Sequence, residues 1–234
     1  MYGLPDHGTF SIVACDPERT FWGVAVSTKP ASVGAIVPWA AWRVGGLATQ
    51  AMANYDYGSR GLELLRRGVD AESVVRKLTR ADPRRLHRQL AVVDRRGRAA
   101  AWTGAKCIEH ALHHVGDGFS CQGNMLASAA VVPAMARAFE STRGSLAQRM
   151  LAALVAGAAK GGDKRGMESA ALIVVHREPW LPPGSGDRWV DVRVDRHPRP
   201  IRELARLVRA DEAETRKYLA QRAAAARKRR AKAR

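Results

Sequence analysis

The chain has 234 residues, 39 Lys+Arg against 22 Asp+Glu for a formal charge of +17, and 46% apolar residues. A chain of this length buries roughly two-thirds to three-quarters of its unfolded surface, as one domain or one domain with a tail, and needs neither disulfides nor a structural metal to hold a core. The composition excludes collagen, a coiled coil and an intrinsically disordered chain.

Thr9-Phe10-Ser11-Ile12-Val13-Ala14 reads as a strand, Cys15 to Thr20 with Asp16 and Pro17 as a turn, and Phe21 to Val26 as the returning strand of a hairpin. Val44 to Gln50 is a short apolar run with Gly45 and Gly46, suited to a buried strand where only small residues let two packed sheets approach. Leu62, Leu64, Leu65 and Val69 predict a first helix. Asp70, with Ser73 in the first turn, caps a second through Val74, Val75 and Leu78, which breaks at Asp82-Pro83. Gln89 to Val93 and Ala99 to Thr103 flank Asp94-Arg95-Arg96-Gly97-Arg98 as a hairpin, and Phe119 to Gly123 predicts a further strand. Ala129 to Phe139 and Leu146 to Ala159 repeat apolar positions at three and four, the second ending at Gly161-Gly162. Ser169 to Val175 and Trp189 to Val194 predict two strands separated by the Pro- and Gly-rich loop 178–187, and a last helix starts after Pro200 and runs into a basic tail. Strands and helices come in runs and do not alternate as βαβ units. The order predicts an α+β protein of layered antiparallel sheets with helices on the outer faces.

Residues 216–234 hold nine Lys+Arg and no acid; thirty basic against twenty-two acidic residues leave +8 for the rest. A run of like charges repels itself and reads first as a solvated extension, able to make weak, nonspecific polyanion contact by counterion release. Cys15, Cys107 and Cys121 are widely spaced with no C-x-x-C pair, which fits a reducing compartment. No basic n-region and apolar stretch opens the chain, and the longest uncharged apolar run, Met150 to Ala159, is too short for a bilayer. The expectation is a cytoplasmic protein without a membrane partner.

Familiar catalytic motifs are missing. Gly157 to Gly162 is followed by Asp163-Lys164 and lacks the G-K-[ST] ending of a phosphate-binding loop, and there is no G-x-S-x-G elbow. His110, His113 and His114 could set two imidazoles on one helical face, but no H-E-x-x-H pattern or partnered cysteine accompanies them, so no metal is expected. Four polar clusters set among small residues do lie at strand ends, where clefts form: Ser27-Thr28-Lys29, Thr49-Gln50, Gln122-Gly123-Asn124, and Gly161 to Gly166 with Ser169 beyond. Gln50, Gln122 and Asn124 donate hydrogen bonds without charge, as an oxyanion or amide requires, and glycines let backbone N–H groups approach a ligand. Each cluster alone could be a loop satisfying its own backbone; four together point to a site.

Thr9, after His7-Gly8, opens the first strand. A threonine hydroxyl alone is a weak nucleophile and Thr is an ordinary strand residue. Were Thr9 the first residue, its α-amine, with an unperturbed pKa of about 8, would be the general base for its own Oγ. A nearby ammonium such as Lys29 would help keep that amine neutral.

Taken in order, Thr9 to Ala14, Gly23 to Val26, Val33 to Ala40, Gly46 to Gln50, Tyr57 to Leu65, Gly116 to Ser120, Gln122-Gly123-Asn124 and Gly161 to Gly166 closely resemble a bacterial and archaeal family, domain of unknown function 1028, over residues 9 to about 208. The resemblance implies a four-layer αββα sandwich of two antiparallel sheets, N-terminal-nucleophile (Ntn) hydrolase-like, and the basic helix and tail over 209–234 lies beyond it. Some relatives carry a peptidoglycan-binding module at the C-terminus, which hints at cell-wall amide or peptide hydrolysis. This chain has the basic tail there instead. Family members commonly place the threonine directly after the initiator methionine, whereas Met1 to Gly8 precede it here. The start lies downstream, the chain cuts itself at Gly8-Thr9, or Thr9 is not a nucleophile.

The expected activity is an Ntn-type amidohydrolase cleaving a small amide or peptide C–N bond without cofactor: Thr9 as nucleophile, Lys29 tuning its amine, Asn124 with the Gly123 amide stabilising the oxyanion, and Gln50, Gln122, Asp163 and Arg165 binding substrate. A non-catalytic ligand-binding or assembly protein of the same fold is the alternative. The segment Ile36-Val37-Pro38-Trp39 could serve either a symmetric homodimer or the core.

Overall fold

The computed structural model describes residues 8–18, 20–178 and 186–232. Ten strands and five helices run in this order: β1 (Thr9–Cys15), β2 (Trp22–Thr28), β3 (Pro38–Ala41), β4 (Gly45–Ala51), α1 (Tyr55–Arg66), α2 (Ala71–Arg80), β5 (Arg88–Asp94), β6 (Ala99–Thr103), β7 (Leu112–Gly116), β8 (Phe119–Asn124), α3 (Val131–Ser141), α4 (Leu146–Ala159), β9 (Ser169–Val175), β10 (Arg188–Val194) and α5 (Pro200–Lys232). One antiparallel sheet has the order β10-β9-β2-β1-β8-β7 and the other β3-β4-β5-β6.

Period-two alternation along β1 decides the layering. Phe10, Ile12 and Ala14 face α3, α4 and the start of α5 in one apolar cluster, whereas Val13 and Cys15 face the second sheet in another. On the second sheet, Ala48, Ala91 and Val93 meet Val13, Val24 and Val26, while Leu47, Leu90 and Val92 on the reverse pack under α1 and α2. The result is the expected four-layer αββα sandwich. Small residues do set the sheet separation: a Cβ on Gly46 would lie 3.3 Å from Val13 Cγ1 and 3.5 Å from Val24 Cγ2.

Two edge strands, β3 and β7, escape sequence reading. Each is short, and β3 opens on a proline, which a sheet tolerates at an edge. Placing His113 and His114 on β7 turns them to opposite faces, so the helical face considered for them does not exist. The helix read around Leu62 begins earlier, at Tyr55, because the Asn54 side chain caps it by accepting from the Asp56 N–H. Most of loop 178–187 and the residues before Gly8 lie outside the described residues.

Of the segment Ile36 to Trp39, Val37 is core and Ile36 packs against that core; Trp39 lies under α1 at Gly58, where an added Cβ would stand 2.0 Å from the indole. A Gly58→Ala chain is therefore expected to lose about 1–3 kcal/mol of stability in urea unfolding, the overpacking of a rigid ring outweighing the better helix propensity of alanine.

Candidate functional site

At the Thr9 end of the sandwich the space between the sheets turns from apolar to polar. Thr9 lies opposite Thr28 on β2 and Asn124 on β8, Ser11 opposite Gln122, and Gln50 on β4 opposite Gln89 on β5. Directly opposed residues of antiparallel strands share a face, so seven polar side chains converge. All seven are at most 2% exposed, and each must find partners inside.

Gln89 is the hub. Its Oε1 accepts from Gln50 Nε2 (2.7 Å) and Asn124 Nδ2 (3.2 Å), and its Nε2 donates to Gly123 O (2.9 Å), Thr103 Oγ1 (3.0 Å) and Leu112 O (3.1 Å). Gln50 in turn accepts from Ser11 Oγ (2.6 Å) and donates to the Thr9 carbonyl (3.2 Å). Gln122 Nε2 reaches Ala48 O (3.1 Å) and Ser11 Oγ (3.4 Å), and its Oε1 is buried without a hydrogen-bond partner among the described residues.

The loop after α4 supplies the charge. Gly161 and Gly162, at φ 103° and 56°, make a turn that L side chains resist, and a bridge between Leu126 and Asp163 pins the chain directly after it. The Asp163 carboxylate, 1% exposed as a residue, accepts from Lys29 N (2.9 Å), Arg165 N (3.0 Å), Arg165 Nε (3.1 Å) and Arg165 Nη2 (2.8 Å). It is paired and fully bonded, as a buried charge must be.

These groups surround the Gly8–Thr9 peptide. Thr9 Oγ1 stands 3.1 Å from Thr28 Oγ1, and the Thr28 hydroxyl donates to the Gly8 carbonyl, which also accepts from Arg165 Nη2 at 3.1 Å. The Thr28 hydroxyl also lies 3.4 Å from Asp163 Oδ2, and either threonine can donate in the Thr9–Thr28 contact. With the Thr28 proton on Gly8 O, a line of donation runs from the Thr9 hydroxyl through Thr28 to the Gly8 carbonyl. Gly8 is itself buried, and an added Cβ would lie 2.5 Å from Asp163 Oδ1.

Of the residues singled out in the sequence, Thr9, Gln50, Gln122, Asn124, Asp163 and Arg165 come together here. Gly123 does so through its carbonyl, bonded to Gln89. Lys29 is placed differently: its backbone N–H holds Asp163, but its ammonium pairs with Glu168, whose carboxyl that contact draws below the ordinary range. The side chain beside Thr9 is that of Thr28, one residue earlier, because register puts Thr28 directly opposite. Thr28, Gln89 and Ser11 have no role assigned from the sequence. Their signal is period two: each is a polar residue on the face that its strand otherwise gives to the inter-sheet core.

Other nucleophiles are poorly set. Burial pushes the Cys121 and Cys107 thiols up, away from thiolate. Among the described residues no three His, Cys, Asp or Glu side chains group to hold a metal ion, and no helix is long and apolar enough to cross a membrane.

The sequence profile of a family of unknown function, DUF1028, matches residues 9–204. The chain belongs to this family. A solved DUF1028 structure, protein SPO2555 from Silicibacter pomeroyi, is 35% identical and superimposes with a TM-score of 0.76 over 87% of this chain and 88% of that one. No curated protein matches. The DUF1028 match opens on Thr9 and takes in every polar residue of the constellation, leaving out Gly8 before it, while most of α5 lies beyond it.

Proposed function

We propose that this DUF1028 protein is an amidohydrolase of the Ntn type, with Thr9 as nucleophile toward a small amide or peptide C–N bond. One observation carries the reading: a buried threonine hydroxyl at a strand start, hydrogen-bonded to Thr28, with the carbonyl before it held by a hydroxyl and a guanidinium. With the chain opened before Thr9, the α-amine takes the Oγ proton as Oγ bonds to the substrate carbonyl carbon. Collapse breaks the C–N bond, the proton leaves with the departing amine, and water then cleaves the threonyl ester. Arg165, bonded to the carbonyl that precedes Thr9, is the cation assigned to tune that amine in this reading, taking the place given to Lys29, and Thr28 and Arg165, freed of Gly8, are donors for the oxyanion. Asn124, Gln50 and Gln122 shape the acyl side.

The same atoms give a route to the free amine. Thr9 Oγ adds to the Gly8 carbonyl carbon, its proton passing to Thr28 while the Thr28 proton moves to the former carbonyl oxygen. As the C–N bond breaks, that oxygen gives up its proton and becomes a carbonyl again while the Thr9 nitrogen takes up the proton, which leaves residues 1–8 as an ester on Thr9 that water releases. Intact mass of the purified chain tests this: loss of the first eight residues is expected, with Thr9→Ala remaining whole and Thr28→Val processed at least about tenfold more slowly. A chain that stays whole, combined with an unreactive variant made to begin at Thr9, leaves the non-catalytic binding protein as the better reading.

A further inference from the structure

We infer that the C-terminal half of α5 is a docking arm for duplex nucleic acid, held through its phosphate backbone. This does not depend on the chemistry at Thr9.

The helix runs unbroken over 33 residues, Pro200 to Lys232, about 50 Å at 1.5 Å per residue. Its two ends differ in kind. Ile201, Leu204, Ala205 and Val208 are buried in the cluster over the six-stranded sheet. Glu212 accepts from Gln148 Nε2 (2.7 Å) and from Ser145, tying the next turn to the start of α4. Glu214 is the last acid of the chain. Beyond Leu219 every residue through Ala225 is exposed, so the helix leaves the body there.

The sequence of this end is strongly basic: nine Lys+Arg and no acid over 216–234, with seven alanines among them. Alanine, arginine and lysine are strong helix formers, so the sequence itself favours helix through this stretch. At about 100° per residue, positions 216, 217, 222, 227, 228, 229, 230 and 232 fall on all sides of the axis. Such a helix has no apolar face to give to a lipid surface, which requires a broad hydrophobic stripe; Tyr218 and Leu219 are the only large apolar residues after Thr215. A polyanion of dense, regular charge is the matching surface, and a duplex offers one phosphate per about 1.7 Å. The DUF1028 match ends at residue 204, so the charged half lies outside the shared domain and is separable from its chemistry.

Fluorescence anisotropy of the full chain with labelled duplexes of about 25 base pairs, one DNA and one RNA, tests the arm. If about five of the nine cations contact phosphate, log K falls against log salt with a slope near −4.5, and affinity drops about 500-fold between 50 and 200 mM salt. Ending the chain after Thr215, or combining Arg227→Gln, Lys228→Gln, Arg229→Gln and Arg230→Gln, is expected to weaken binding at 50 mM by at least about 100-fold with the melting temperature unchanged, while Thr9→Ala binds as the parent. Undiminished binding by the shortened chain, a slope shallower than about −2, or tighter binding to phosphatidylglycerol vesicles at equal phosphate would each overturn the arm.

Discussion

A chain made to begin at Thr9 is expected to react with a β-lactone electrophile at one hydroxyl, adding a single mass increment, and the Thr9→Ala chain is expected not to react at all. The loss in amide hydrolysis should be at least about 10³-fold, because removing a covalent nucleophile removes the whole reaction coordinate and leaves only binding and oxyanion contacts. Thr9→Ser retains the hydroxyl and the amine and should keep part of the activity. The full-length chain carrying Gly8→Ala is a complementary probe. Its Cβ would meet the Asp163 carboxylate at 2.5 Å, so either that carboxylate or the Gly8 backbone must shift, and Arg165 is bonded to both. Slower loss of residues 1–8 is expected there, read by intact mass over time, whereas labelling of the chain begun at Thr9, which lacks that residue, cannot change.

Most of the layering was legible because period and punctuation agreed. Ser169–Val175 and Leu146–Ala159 carry strong runs bounded by glycine, polar turns or a cap, and the elements have those bounds. β3 and β7 were not legible since an edge strand buries little and needs no clean alternation. The clusters at strand ends marked where the site lies, but not which side chain meets which. That is decided by register, and one residue of register separates Thr28, whose hydroxyl meets Thr9, from Lys29, whose ammonium turns to Glu168. Gln89 stayed hidden for a related reason: a glutamine opening an apolar strand looks like a strand end until the partner strand sets Gln50 opposite it.

Asp82→Ala is expected to cost about 3–5 kcal/mol at neutral pH, a substantial fraction of the stability of a domain this size. Asp82 follows α2 and is buried together with Arg88, the residue before Gln89 on β5. One carboxylate accepts from four residues: Oδ1 from Arg84 N (2.8 Å), and Oδ2 from Arg88 Nε (2.9 Å), Tyr57 Oη (2.9 Å) and Asn54 Nδ2 (3.0 Å). Without it Arg88 is a buried charge lacking its counterion, left among the described residues with the Met52 and Ala53 carbonyls, and the cap of α1 loses its support. Asp82→Asn keeps shape and some bonds and should cost less, about 1–3 kcal/mol. Burial pushes the Asp82 carboxyl up, but the hydrogen bonds from Arg84, Asn54, Tyr57 and Arg88 outweigh it and hold the group at about 2. A carboxyl depressed in the folded state below its unfolded value of about 3.9 stabilises fully above that value, and the contribution fades as pH falls through about 2. Urea midpoints of the parent and Asp82→Ala chains should therefore stand farthest apart above about pH 5 and converge toward pH 2. An equal separation across that range would mean that the contribution is packing and not charge.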